Sequence, residues 1–179
     1  AGLSNKGWRY FEYYDPTPKV AGFMKKYAPN KNLIFKQQGI YDRETEIKLF
    51  HSKNPKKFNS SIFNISNDSE NYTFVKCRTL DKFVRENNHK NIDILKMDIE
   101  GVADKELMHM LKKKNIRPKQ IITEFEVVDI ESAITYIPKL TEVLKLLKIN
   151  GYKIFNQSLT RKSTIEMIFI NKSLQWEEE

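Results

Sequence analysis

The sequence predicts an α/β fold: a doubly wound, mostly parallel sheet with helices on both faces, closed by a C-terminal antiparallel hairpin. Three observations carry this. Short apolar runs alternate with amphipathic stretches along most of the 179 residues. The runs that end near Tyr14, Lys36, Asp98 and Glu124 stop at polar or turn-forming residues. After the last helical stretch, two strand-like runs, Tyr152 to Phe155 and Thr164 to Ile170, are separated only by a polar turn. Strand–helix alternation implies parallel pairing with helical crossovers, whereas a direct polar turn implies a hairpin.

Each element has a local reason. Trp8 to Tyr14 is dense in aromatic residues and stops at Asp15-Pro16-Thr17-Pro18, a strand ended by a proline-fixed turn. Lys19 to Tyr27 predicts a helix closed by Pro29-Asn30, and Leu33 to Lys36 a short strand with Gln37-Gln38-Gly39 as its exit turn. In Thr45 to His51, Ile47 and Leu49 alternate with polar residues, the pattern of a half-exposed hairpin strand. Residues 54–71 are polar, with Ser60-Ser61 and Asn67-Asp68-Ser69, and predict a long loop or lid. Tyr72 to Cys77 resumes strand character, and Thr79 is placed to cap a helix running from Leu80 to Glu86. Ile92 to Asp98 predicts a buried strand, and Ala103 to Lys114 a helix with Leu107, Met110 and Leu111 on one face. Gln120 to Phe125 is a further apolar strand, ending in Glu124 and Glu126. From Tyr136 to Ile149, Ile137, Leu140, Leu144 and Leu147 keep helical spacing, with Pro138 in the first turn and Asn150-Gly151 as the stop.

The bulk properties fit one domain with a real core: 40% hydrophobic and 12% aromatic residues. No run approaches the roughly 20 apolar residues of a membrane span, and the first ten residues lack the apolar core of a signal peptide. Cys77 is the single cysteine, which excludes an intrachain disulfide and suits a reducing, cytoplasmic setting. Its expected state is a buried strand thiol. The net charge of +8 invites a nucleic-acid partner. However, the lysines are scattered, and Lys112 to Lys114 fall at a helix end, where cations suit the dipole. Solvated surface accounts for the charge better, and attraction to an acidic substrate or an anionic membrane surface stays open.

The strongest functional signal is Leu95-Lys96-Met97-Asp98-Ile99-Glu100-Gly101, an apolar strand that ends in two acids and a glycine before a helix. Open α/β sheets place ligands just outside the carboxyl ends of their strands. The same residues also suit plain turn formation and helix capping. A second alternative gathers Asp98, Glu100 and Glu124 around a hard divalent cation; sequence fixes too few polar neighbours to prefer it. His51, His89 and His109 share no metal-ligand spacing. Ser60 and Ser61 are candidate acceptor contacts, with loop polarity as the plainer account.

Three segments in this order resemble the FkbM-type S-adenosylmethionine-dependent methyltransferases: Asp15-Pro16-Thr17-Pro18 after a strand, Arg78-Thr79-Leu80-Asp81-Lys82-Phe83 opening a helix, and Leu95 to Gly101. Glu124 at the next strand end and the late Gly151-Tyr152 extend the likeness over most of the chain. The resemblance implies a Rossmann-like sheet with a terminal antiparallel hairpin in a single methyltransferase-like domain over residues 1–179. It implies that Asp15 hydrogen-bonds the ribose hydroxyls of the cofactor, a role suited to a carboxylate facing a cis-diol; capping of the DPTP turn is the alternative. Gln37 and Gln38 fall where the adenine rests, with exposed turn polarity as the alternative. Asp98 is expected at the methionine end of S-adenosylmethionine and near the acceptor, where it can hold the ammonium group, orient a hydroxyl or take its proton. Glu100 would support Asp98 or bind substrate, and Glu124 would contact the substrate. The implied acceptor is a small molecule or glycan bearing a hydroxyl, such as a sugar or secondary metabolite; oligomeric state is left open.

Two departures from the family stand out. The family's opening strand and its glycine-bearing loop are not visible before Trp8, so the first strand is expected upstream of Ala1, with Leu3 to Gly7 as the last turn of the first helix. Ala103 stands where family members often carry glutamate, and the nearest acid, Asp104, comes one place later. On a helix that shift turns a side chain by about 100°. Three functions therefore compete: a methyltransferase acting on oxygen, a degenerate non-catalytic methyltransferase-like module, and a basic nucleic-acid binder.

Overall fold

Strand formation follows the apolar runs, and the turn formers between them set where each strand stops. The computed structural model describes residues 11–27, 29–52, 60–62, 70–99, 102–126, 130–161 and 164–173. It divides into two units, Ala1–Ile40 with Glu44–Cys77, and Tyr41–Arg43 with Arg78–Glu179.

In the first unit, β1 (Phe11–Tyr14), α1 (Pro18–Met24) and β2 (Leu33–Lys36) form a βαβ element; α1 runs on as a 3-10 turn over Lys25–Tyr27. β1 and β2 pair in parallel, with Tyr14 opposite Lys36. Pro18 opens α1, where its missing N–H costs nothing. A second sheet follows, from β3 (Gly39–Ile40), β4 (Thr45–His51), β5 (Ser60–Ser61) and β6 (Tyr72–Arg78), in the order β3-β6-β4-β5. β4 and β6 are antiparallel, as the alternation of Ile47 and Leu49 predicts. Leu49, Val75 and Cys77 point inward while Lys48, Phe74 and Lys76 face water. On the wet face, Lys48 Nζ lies 4.4 Å from the centre of the Tyr72 ring. His51 bridges two hydroxyls, with Nδ1 2.9 Å from Ser60 Oγ and Nε2 3.0 Å from Thr73 Oγ1.

Two local expectations change here. Ser60-Ser61 is not loop; it pairs antiparallel with Phe50 and His51. Most of the remaining 54–71 stretch, and the start of the predicted Trp8 strand, lie outside the described residues. Gly39 does not end an exit turn but begins β3, because that strand runs hard against β6: a Cβ on Gly39 would sit 2.5 Å from Cys77 Sγ.

The second unit contains α2 (Leu80–Glu86), β7 (Ile94–Met97), α3 (Ala103–Lys113), β8 (Gln120–Glu126), α4 (Ile130–Ile149), β9 (Tyr152–Arg161) and β10 (Thr164–Asn171). Its sheet has the order β7-β8-β10-β9. β7 and β8 are parallel, while β10 is antiparallel to both β8 and β9, so the predicted terminal hairpin is present and longer than the apolar runs suggest. One face carries Met97, Ile121, Thr123, Phe125, Met167 and Phe169, all buried. α3 adds Leu107, Met110 and Leu111 to this core, and α4 adds Val143 and Leu147. Each fully buried apolar side chain of this size contributes ~1.5–3 kcal/mol.

The sheets are mixed rather than mostly parallel: β1–β2 and β7–β8 are parallel, whereas β4–β5, β4–β6, β8–β10 and β9–β10 are antiparallel. The reason is connectivity. The two parallel pairs each have a helix between their strands, whereas β4 and β6 fold back on one another and β9 returns directly into β10. α4 begins at Ile130 rather than Tyr136, which puts Pro138 inside the helix instead of in its first turn. Among the described residues no helix is long and apolar enough to cross a membrane.

The Gly39–Cys77 contact gives a direct test. Gly39→Ala should lower unfolding stability by about 1–3 kcal/mol through overpacking, and the loss should shrink in a Cys77→Ala background; urea titrations of the four proteins measure this coupling.

Candidate functional site

Parallel strands expose their carboxyl ends at one rim, and the candidate residues fall on such rims in both units. In the first unit the Asp15 N–H donates to the Lys36 carbonyl at 3.2 Å, just past the ends of β1 and β2. This bond holds Asp15 beside Gln37 and Gln38. Asp15 Oδ1 accepts the Thr17 N–H at 2.8 Å, the turn that opens α1, and Oδ2 accepts the Tyr13 hydroxyl at 3.1 Å. The turn-capping role is therefore real. A carboxylate has about four lone-pair positions, so two donors do not exhaust it. Gln38 is half-buried, its N–H turned back to the Lys36 carbonyl at 2.9 Å, and Gln37 is exposed.

In the second unit Asp98 stands immediately beyond the end of β7 and is exposed. Met97 lies opposite Thr123 in the parallel pair, so Asp98 is level with Glu124 on the neighbouring strand. The register brings those two predicted acids to one rim. Glu124 in turn faces Glu166 across the antiparallel β8–β10 ladder, an opposition of like charges that is unfavourable by itself. Lys96 Nζ lies 3.6 Å from Glu166 Oε2 and offsets it. Glu100 and Gly101 lie outside the described residues. Beyond them the Val102 N–H donates to the Ile99 carbonyl at 3.2 Å, and α3 starts at Ala103. Asp104 is buried in the first turn of α3, where an acid suits the helix dipole. Asp15 thus belongs to the first unit, and Asp98 and Glu124 to the second.

A cluster of charged side chains joins α2 to α3, and sequence reasoning gave it no role. Glu106 has 0% exposure, and its Oε1 accepts the Leu80 N–H at 3.0 Å. The N-terminus of α2 is therefore capped from α3; Thr79 takes the N-cap position, but its hydroxyl makes no capping bond and turns to Asp81 instead. Burial pushes the Glu106 carboxyl up to about 8, only partly countered by the Leu80 N–H, with Asp81 and Asp42 adding repulsion. Burial also works against the Asp81 carboxylate, but the Thr79 hydroxyl, His109 and Lys113 together hold its pKa below the ordinary value. Asp81 Oδ1 lies 3.3 Å from His109 Nε2 and 3.5 Å from Lys113 Nζ, and Oδ2 lies 3.4 Å from Arg85. The signal for Glu106 was present in the sequence: an acid at helical spacing from Ala103 and Met110, on the face otherwise taken by core residues.

His109 is therefore engaged as a partner of Asp81, and His51 with two hydroxyls. Cys77 is buried, as expected, and burial raises its thiol pKa to about 11, so it is held as the unreactive thiol. Among the described residues no group of His, Cys, Asp and Glu side chains is arranged to hold a metal ion.

Residues 3–154 match the family model of the methyltransferase FkbM domain. In fold the chain is similar to the crystal structure of methyltransferase FkbM from Methylobacillus flagellatus KT, with TM-score 0.51 and 12% identity. That likeness covers 90% of this chain and 36% of the other, so the chain spans little more than a third of that relative's length. No curated protein matches the sequence significantly.

The Glu106 environment fixes the sign of a pH effect. Its folded pKa of about 8 lies above its ordinary value of 4.5, so between those values the native state keeps a proton that the unfolded chain has lost. The contribution to stability is complete below the lower value and declines as pH rises towards the upper one. Asp81, held low, acts in the opposite sense and only in the acid range. Glu106→Gln, which retains an oxygen acceptor for Leu80, should flatten the fall in unfolding free energy between about pH 5 and 8, an effect on the order of 1–3 kcal/mol. An unaltered pH slope in denaturant unfolding would show that Glu106 ionises normally.

Proposed function

The chain belongs to the FkbM methyltransferase domain family, and we propose that it transfers a methyl group from S-adenosylmethionine to a hydroxyl oxygen of a small-molecule or glycan acceptor. The observation that carries this reading is the rim of the second unit, where exposed Asp98 leaves the carboxyl end of β7 level with Glu124 on parallel β8.

The chain's own residues suit such a cofactor. Asp15 keeps acceptor capacity beyond its bonds to Thr17 and Tyr13 and is assigned to the ribose hydroxyls. Gln38, held at the same rim of the β1–β2 pair, is assigned to the adenine edge. S-adenosylmethionine, when bound, supplies a methyl carbon activated by its sulfonium. Asp98 is assigned to the ammonium end and to the proton of the acceptor hydroxyl, which its carboxylate takes as the oxygen forms its bond to carbon. Glu100 is assigned to supporting Asp98, and Glu124 to holding the acceptor. Displacement at a methyl carbon needs the two reactants aligned more than it needs further chemistry, so a few fixed carboxylates suffice.

We read residues 1–179 as one cytoplasmic, methyltransferase-like domain of the doubly wound type; support comes from a family match that runs through both units and from the β7-β8-β10-β9 order. A non-catalytic methyltransferase-like module is the second reading. It is favoured by the internal donors that already engage both oxygens of Asp15.

Titration of the full-length protein with S-adenosylhomocysteine in a calorimeter separates these readings. Saturable binding is expected, weakened about tenfold or more in Asp15→Ala, where charge-assisted hydrogen bonds are lost. Asp98→Ala should slow methyl transfer by about 10²–10⁴-fold. No heat at millimolar ligand, together with unchanged turnover in Asp98→Ala, would remove the enzyme reading.

A further inference from the structure

A groove of about 980 Å³ opens in the second unit between the last turns of α4, the start of β9 and the end of β10. Its size lies within the ~300–1,000 Å³ common for small-molecule sites. Leu144, Leu147, Ile154 and Phe169 give it an apolar lining. Lys145, Lys148, Lys153 and Lys172 also line it, and none of its lining residues among the described ones is acidic. Elsewhere in this unit Lys112 and Lys119 pair with Glu142 and Asp93, but the four groove lysines meet no carboxylate among the described residues. Lys172 lies close enough to Lys153 to disfavour its charge, which lowers the pKa of the Lys153 ammonium.

The frame that brings these cations together is fixed. Gly151 takes φ 88°, and a Cβ there would lie 3.2 Å from Asn171 Oδ1. Asn171 is buried and donates through Nδ2 to the Asn150 carbonyl at 3.3 Å, while the Lys172 N–H donates to the Gly151 carbonyl at 3.2 Å. The turn between α4 and β9 is thereby tied to the end of β10, with Lys153 and Lys172 on either side.

The groove is also remote from the acids of the β7 rim. β9 runs parallel to β7, since each is related to β10 or β8 by the pairings above, so the start of β9 lies at the opposite rim from Asp98. It is also three strand positions away in the sheet, about 14 Å at the usual spacing.

We propose that this groove binds an anionic amphiphile, its alkyl chain along Leu144 and Ile154, above the buried Leu147 and Phe169, and its phosphate head on Lys153, Lys172 and the lysines of α4. An apolar molecule alone would leave the neighbouring ammonium groups uncompensated, and an inorganic anion alone would leave Leu144 and Ile154 wet. A phosphate with a chain answers both, and its charge removes the repulsion between Lys153 and Lys172.

The test is calorimetric titration of the full chain with dodecyl phosphate below its micelle concentration. Saturable one-to-one binding is expected, with inorganic phosphate and dodecanol each at least about tenfold weaker. Both Lys153→Gln/Lys172→Gln and Ile154→Glu should weaken it about tenfold or more. These side chains are exposed, and unchanged melting would confirm intact folding in each variant. Absence of saturation, equal affinity for inorganic phosphate, or indifference to both variants would overturn the proposal. So would a concentration-dependent dimer that Ile154→Glu dissociates without any binding of the probe, since the groove would then receive a second copy of the chain.

Discussion

A carboxyl group sealed from water, Glu106, holds the first free N–H of α2, and the joint between α2 and α3 depends on that bond. A helix start buried without an acceptor is costly, and here the acceptor comes from a different helix. Burying it ionised would cost several kcal/mol more; the raised pKa means the group is carried largely as the neutral acid near pH 7. Around it Asp81, His109, Lys113 and Arg85 form a pairing of charges that locks the helices side by side. α3 begins five residues after Asp98, so the same joint sets the far end of the segment leading away from the candidate rim.

Charge is distributed with some economy in the second unit. Acids gather at the carboxyl rim of the parallel pair, with Glu124 and Glu166 opposed and Lys96 spanning from β7 to steady them. Lysines that meet no carboxylate among the described residues line the groove at the opposite rim. The net charge of +8 is therefore not a uniform coat, and four of its lysines edge apolar surface in the groove.

Much of this was legible in the chain. Alternation placed β4 and β6, apolar spacing placed the buried face of α3, and the Asp15-Pro16-Thr17-Pro18 turn marked the end of β1. What escaped did so for identifiable reasons. Pro138 suggested a helix start because proline is favoured there, but the residues before it extend the helix by a local preference that one missing N–H does not overcome. Thr79 has the right type and position for a cap, yet a tertiary partner took the task. Gly39 looked like a turn residue because its true reason, the Cys77 sulfur, is distant in sequence. The mixed sense of the sheets depends on pairings that no single segment encodes. For the site, strand ends were readable; Glu106 showed only as an acid on the core face of α3, and its link to α2 was not legible, since that depends on what packs over it.

Pro138 also divides α4 in its breathing. The proline cannot donate to the Ile134 carbonyl, so the rungs on its amino side are one short, and Ile134 and Ile137 there are largely exposed. The carboxyl half anchors through Val143 and Leu147, both buried in the core. Amide protons ahead of the proline should accordingly trade with solvent through shallow, local openings, whereas those after it are released only when the β8–β10 core itself comes apart. The lysine-edged groove is built from the slow half, and fraying of the fast half leaves its walls standing.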